Sequence, residues 1–180
     1  MKAFLFSGVH GVGKGFFLNK LENNSLYHIY TASALIERYH SSADAGYKRV
    51  SNVKSNQETL IRGMKEVMDR DNGTLILDGH LCIFNAKGEV ERIPKFFFEE
   101  AGIEGIMLLQ DIPERIYCRI RKRDANIIDV SVIEQMQREE EKYARELEKE
   151  LNIGWAIITH ECTEDQFAKI QRKWGGSRVE

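Results

Sequence analysis

The sequence predicts an α/β fold: five strands alternating with helices and assembled into a mostly parallel sheet. Three observations carry this reading. Short apolar runs and stretches of helical periodicity succeed each other along the chain. The run Leu75-Ile76-Leu77 does not alternate apolar with polar residues, as expected of a strand covered on both faces. The first run, Ala3-Phe4-Leu5-Phe6, passes directly into a glycine-rich turn that opens a helix.

Strand one spans about Lys2–Ser7, and helix one runs from Gly13 to about Glu22 with Phe17 and Leu21 on one face. A short strand over Tyr27–Tyr30 leads to a helix capped by Thr31 or Ser33 and carrying Leu35 and Ile36. After the polar stretch Ser41–Asn52, a third helix places Leu60, Ile61, Met64 and Met68 at helical spacing. Gly73–Asp78 is the buried strand that ends in an acid. Residues 80–93 read as a loop, or as a hairpin turning at Lys87-Gly88, and Pro94 opens a short helix through Glu100. Gly105–Gln110 is a further buried strand. Asp111 and Pro113 cap and open a helix to about Arg123. Ser131-Val132-Ile133-Glu134 reads as a capping box ahead of an apolar stripe of Ile133, Met136, Tyr143, Leu147 and Leu151. The last strand is Trp155–Thr159, and Thr163 caps a final helix with Phe167, Ile170 and Trp174.

The bulk properties bound the function. The 180 residues suit one domain with one core, and 42% hydrophobic with 30% charged residues is a globular composition. A net charge of −2 gives no global attraction to nucleic acid or to an anionic membrane. No run approaches the length of a membrane span, and the start of the chain does not read as a signal peptide. Cys82, Cys118 and Cys162 are widely spaced and odd in number, which suggests neither a zinc site nor a disulfide framework. The expectation is reduced thiols in a cytoplasmic protein. Oligomeric state is not readable from sequence.

The glycine-rich turn is the informative motif. Gly8-Val9-His10-Gly11-Val12-Gly13-Lys14-Gly15 has the G-x-x-x-x-G-K spacing of a phosphate-binding P-loop, after a strand and before a helix. The glycines let the backbone turn its N–H groups toward phosphate oxygens, and the helix that starts through Gly15 and Phe16 adds its positive end. Lys14 supplies a point charge for the β- and γ-phosphates. Together these residues predict a P-loop NTPase fold, with helices layered on the sheet. The position after the lysine is Gly15, where the pattern has a Mg²⁺-binding Ser or Thr. Asp78, at the end of its strand, is placed where such proteins hold Mg²⁺.

Other residues fall on the same edge. Arg115, Arg119 and Arg123 share one face of their helix at i, i+4 and i+8, and either face a phosphate or form a solvated basic surface. No aromatics interleave with them, so a nucleic-acid patch is the weaker reading. An acceptor carrying a second phosphate would need cations within residues 30–65. Thr31, Arg49, Gln57 and His80 are the candidate acceptor-binding residues. His80 follows Asp78 by two, which places it toward the cleft, either to orient a phosphate or a water or as a hydrogen-bonded structural histidine.

The combination Gly8-x4-Gly13-Lys14, Leu77-Asp78-Gly79-His80, Asp111-x-Pro113-Glu114-Arg115, Arg119-x3-Arg123 and Asp129-Val130 resembles the small adenylate-kinase-like P-loop kinases, closest to the archaeal-type adenylate kinases. The resemblance implies a five-stranded parallel sheet, a monophosphate-binding region over residues 30–65 and a helical lid over 119–131. It implies ATP with Mg²⁺ as cofactors and a small nucleotide as partner, with Arg119 and Arg123 reaching the nucleotide from the lid and the loop near His160–Thr163 beside adenine. The chain differs from that family at Gly15, at Asn126-Ile127-Ile128 where lids carry further arginines, and at His80-Leu81 where adenylate kinases have Pro-Arg. Two functions follow. One is transfer of the ATP γ-phosphoryl to a small acceptor, a nucleoside monophosphate by the resemblance. The other is a nucleotide-binding sensor or regulatory module with little turnover, because of Gly15.

Overall fold

A computed structural model describes residues 2–21, 25–39, 53–85, 87–123 and 128–175. Strands β1 (Lys2–Ser7), β2 (Tyr27–Thr31), β3 (Thr74–Asp78), β6 (Ile103–Leu109) and β7 (Gly154–Ile158) form a single sheet in the order β2-β3-β1-β6-β7. Every pairing in it is parallel. Helices α1 (Lys14–Leu18), α2 (Ala32–Tyr39), α3 (Val53–Arg70), α4 (Lys95–Glu100), α5 (Pro113–Arg123), α6 (Val130–Leu151) and α7 (Glu164–Gly175) flank it. This is the P-loop NTPase architecture. Residues 80–93 adopt the hairpin alternative: β4 (Cys82–Phe84) and β5 (Val90–Arg92) pair antiparallel as a separate two-stranded sheet.

The central strand β1 explains how one run of residues serves two layers. Alternate side chains leave opposite faces of a strand, and all of Ala3–Ser7 is buried. Phe6 packs on Phe17 of α1 and Phe167 of α7, with ring centroids 5.2 and 6.2 Å away. Leu5 and Ser7 point the other way. Leu5 reaches a cavity beside β3, and Ser7 meets α6. Gly105 and Gly154 are register partners on β6 and β7, and the Trp174 ring lies across both. A Cβ at Gly105 would sit 2.1 Å from that ring, so these glycines admit the last helix to the sheet. Among the described residues, no helix is long and apolar enough to cross a membrane.

Local chemistry sets most helix ends, with two corrections. Helix α1 stops at Leu18 instead of continuing to Glu22. Lys20 and Leu21 donate to the carbonyls of Phe17 and Leu18, three residues back, which tightens the last turn. The capping box at Ser131 does not form. Helix α6 begins at Val130 with Asp129 at its N-cap, and Glu134 is drawn to Arg138, 2.5 Å away on the next turn, so it does not reach back to a cap. Thr163 behaves as expected. Its hydroxyl accepts from Gln166 N–H, while the Gln166 side-chain oxygen accepts from Thr163 N–H. The stretch Ser41–Asn52, with Arg49, lies outside the described residues, as do residues 124–127 of the expected lid.

Candidate functional site

The site is built where the carboxyl ends of β1 and β3 meet. In an open parallel sheet, ligands gather at such an edge where the chain connects to opposite sides. After Ser7 the backbone turns through Gly8, Gly11 and Gly13, with φ of 151°, 79° and 100°. At Gly11 and Gly13 this is the left-handed region that only glycine adopts at no cost. Neither could carry a side chain: a Cβ at Gly11 would lie 2.4 Å from Ile120, and at Gly13 2.8 Å from His160. Val9 and Val12 anchor the loop in the core.

Lys14 folds back under the loop. Its Nζ donates to Gly8 O at 2.9 Å and lies 3.7 Å from Asp78 Oδ1 and 3.5 Å from His80 Nε2. Burial dominates the titration of all three groups. It lowers the Lys14 ammonium, with Asp78 and Glu140 pulling it back up, and it raises the Asp78 carboxyl against the pull of Lys14. It pushes the His80 imidazole down to about 3, with the Lys14 charge adding to the effect. His80 is therefore neutral near pH 7.

Arg119 is held elsewhere. Its guanidinium donates to Val12 O at 2.6 Å and Gly11 O at 3.2 Å, and pairs with the Asp111 carboxylate. Arg115 lies 3.7 Å from the same carboxylate, so the shared face expected of these arginines is present. Arg123 meets His10. His160 Nε2 lies 2.7 Å from Val12 O, and the exposed Phe16 ring sits 6.2 Å from the His160 ring. The P-loop is thus braced from outside by Arg119 and His160.

Next to Lys14 lies a cavity of about 400 Å³. It brings together Thr31, Gln57, Asp78 and His80, all marked from the sequence, with Ser33 and Asn56. Leu60, Ile36 and Phe97 form its apolar wall. Arg119 and Arg123 do not line it. Thr31 also caps α2, accepting from Ala34 N–H at 3.2 Å. A smaller cavity of about 160 Å³ lies on the other side of His80, against Ile120, Ile133 and Met136.

One residue of the site escaped sequence reading. Glu140 is fully buried on α6, and its Oε1 accepts from Ser7 Oγ at 3.0 Å and from Leu81 N–H at 3.2 Å. It joins the end of β1, the start of the P-loop and the loop that carries His80. Burial raises its carboxyl to about 7, and Oε2 makes no hydrogen bond among the described residues. A signal was present: positions 133, 136, 140, 143 and 147 share one helix face, and a glutamate on that apolar stripe is anomalous.

The site fits a nucleoside triphosphate with Mg²⁺. The loop backbone and Lys14 form an anion cradle, and burial draws both Lys14 and Asp78 away from their charged forms, a tension that a phosphate and a cation relieve. Mg²⁺ commonly uses one or two carboxylates with phosphate oxygens and water. Asp78 can provide one, and among the described residues no cluster of three or more metal-ligating side chains competes with it.

Fold and loop together define a P-loop kinase-like, nucleotide-binding domain. The chain belongs to the AAA domain family, whose profile matches residues 7–137. Solved structures share its fold over nearly their whole length. A gluconokinase from Sinorhizobium meliloti 1021 is 11% identical with a TM-score of 0.53, over 97% of this chain and 94% of that one. An unliganded sugar kinase from Janibacter sp. HTCC2649 is 14% identical with a TM-score of 0.53, over 99% and 96%. The tunicamycin resistance protein of Deinococcus radiodurans is 10% identical with a TM-score of 0.62, over 99% and 96%. At these identities the likeness is one of fold. No curated protein sequence matches the chain.

Proposed function

We propose that the protein is a cytoplasmic phosphotransferase, a single P-loop kinase domain that moves the γ-phosphoryl of ATP to a small acceptor seated in the cavity beside Lys14. The observation that carries this is the convergence of Lys14, Asp78 and His80 within 3.7 Å of Lys14 Nζ at the rim of that cavity. Phosphoryl transfer asks mostly for positioning and charge. The P-loop backbone from Gly8 to Gly15, with Phe16 following, cradles the phosphates. Lys14 neutralises the transferring group. Asp78 would hold Mg²⁺, which would supply charge neutralisation for the phosphates. Arg119 and Arg123 serve as the charge clamp of a lid over 119–131, which requires Arg119 to exchange Asp111 and the loop carbonyls for phosphate oxygens.

The resemblance to adenylate kinases makes a nucleoside monophosphate the narrower candidate acceptor, bound within residues 30–65 by Thr31, Arg49, Gln57 and His80. The test is ADP release from Mg-ATP by coupled assay, without acceptor and with AMP, CMP, UMP, GMP and dTMP. Release that depends on an acceptor supports the phosphotransferase; ATP binding with no release under any acceptor supports the sensor reading motivated by Gly15.

Gly15 can be tested directly. Apart from its chain neighbours and its own helix backbone, no atom of a described residue lies within 4 Å of where its Cβ would stand, so a hydroxyl-bearing side chain has room. Gly15→Thr should tighten Mg-ATP about tenfold relative to ATP without metal, the worth of one charge-assisted contact. Titration calorimetry with and without Mg²⁺ reads this. Loss of all ATP binding would mean that the loop needs glycine there for its backbone.

A further inference from the structure

We propose, resting on the phosphotransferase reading, that Glu140 is the residue that positions Lys14 for phosphoryl transfer. From α6, one of its carboxyl oxygens fixes both supports of the Lys14 ammonium, one through Ser7 and Gly8 and the other through Leu81 and His80.

The two supports lie beyond the reach of the sheet. The register of β1 with β3 ends at Phe6 and Asp78, and Gly79 N–H donates to Phe6 O at 3.1 Å just past it. Lys14 Nζ meets the segments that follow. It donates to Gly8 O at 2.9 Å and lies 3.5 Å from His80 Nε2. Gly8 directly follows Ser7, and His80 directly precedes Leu81. Among the described residues, these two segments are joined by a triangle of hydrogen bonds. Ser7 Oγ donates to Glu140 Oε1 at 3.0 Å, and Leu81 N–H donates to the same oxygen at 3.2 Å. Leu81 N–H also reaches Ser7 Oγ at 3.0 Å. Each arm of the triangle ends one residue from an atom beside the ammonium.

The chemistry of the triangle suits a positioning device. The single hydroxyl proton of Ser7 goes to Glu140, which leaves its lone pairs for Leu81 N–H. Ser7 and Glu140 are both completely buried, so water cannot replace either bond. Burying a carboxyl is costly, and Glu140 shares its helix face with Ile133, Met136, Tyr143 and Leu147. An apolar side chain there would pack on the same face, but it could accept neither bond. Phosphoryl transfer is mostly placement of charge. A displacement of about 1 Å at the reacting centre can lower the rate on the order of 10²-fold.

The test is a double-mutant cycle between Glu140 and Lys14 in the full chain. It reads Mg-ATP affinity by calorimetry and acceptor-dependent ADP release by coupled assay, with a melting curve for every variant. Glu140→Leu should weaken Mg-ATP about tenfold in the native background and leave the affinity of Lys14→Ala within about twofold, because the effect passes through the lysine. It should also lower kcat on the order of 10²-fold. Glu140→Gln, which keeps an acceptor oxygen, should recover most of both losses. Losses of equal size with and without the lysine would show a general loosening of the fold and overturn the proposal. Native affinity in a folded Glu140→Leu protein would overturn it as well, as would a glutamine variant no better than the leucine. Should Glu140→Leu fail to fold, Ser7→Ala cuts one arm of the triangle and takes its place in the cycle under the same criteria. A native protein that binds Mg-ATP but releases no ADP with any acceptor overturns the phosphotransferase alone, and the affinity cycle still decides whether Glu140 positions Lys14.

Discussion

Lys14→Ala lowers acceptor-dependent ADP release on the order of 10³-fold, the scale seen when one preorganised charge is removed from a transition state. The structure makes this lysine hard to replace. Its Nζ is fixed by Gly8 O at 2.9 Å and stands beside Asp78 and His80, so its position is set before any ligand arrives. Burial holds the ammonium below its usual pKa, and the charge of a triphosphate restores it. Lys14→Arg should not rescue, because a planar fork cannot occupy the space of a point charge under the loop. The measurements are kcat by coupled assay and ATP affinity by calorimetry, with a melting curve to show that the variant is folded. Turnover unaltered in a folded Lys14→Ala protein would dissolve the site assignment.

Glu140→Gln flattens one component of the dependence of stability on pH. The Glu140 carboxyl rises from its ordinary 4.5 to about 7 because burial disfavours its charge. Between those values the folded state holds a proton that the unfolded chain has lost, so this group's contribution falls as pH rises, and the loss is complete above about 7. The interval corresponds to ~3 kcal/mol. His80 acts in the opposite sense: its imidazole is lowered from 6.5 to about 3, so its contribution grows as pH rises through that window. The two partly cancel in the native protein, and the difference between native and Glu140→Gln curves isolates the glutamate. Urea unfolding at several pH values should show native stability falling by ~3 kcal/mol relative to the variant from pH 4.5 to 7. Parallel curves would mean that Glu140 ionises in the fold without penalty. The glutamine keeps an acceptor for Ser7 Oγ and Leu81 N–H, so the join between β1 and the His80 loop survives.

The sheet strands and the P-loop were legible because their causes are local. Apolar runs without alternation mark strands buried on both faces, and the loop lies within eight consecutive residues, Gly8–Gly15, that carry their own backbone geometry. The place of Asp78 beside Lys14 was legible one step further, since Asp78 ends β3 and the loop that leads to Lys14 leaves the neighbouring β1 on the same edge. The arginines were legible as a face of α5 but not as contacts. That Arg119 holds Asp111 and the carbonyls of Gly11 and Val12 depends on where α5 docks, across 107 and 108 positions of sequence to those carbonyls. The capping box at Ser131 matched a pattern, yet Glu134 found Arg138 on its own helix.

What the sequence determined by itself is the architecture and the anion cradle: an alternating α/β chain whose first strand delivers a glycine loop and a lysine to a helix, each dictated by neighbours a few residues apart. Only the tertiary structure decided the protonation and pairing of the groups around that cradle. Glu140 meets Ser7 across 133 positions, and His80 meets Lys14 across 66. The pKa of a buried group depends on the water and the charges that distant elements remove from it or bring to it, and no local pattern of residues encodes that environment.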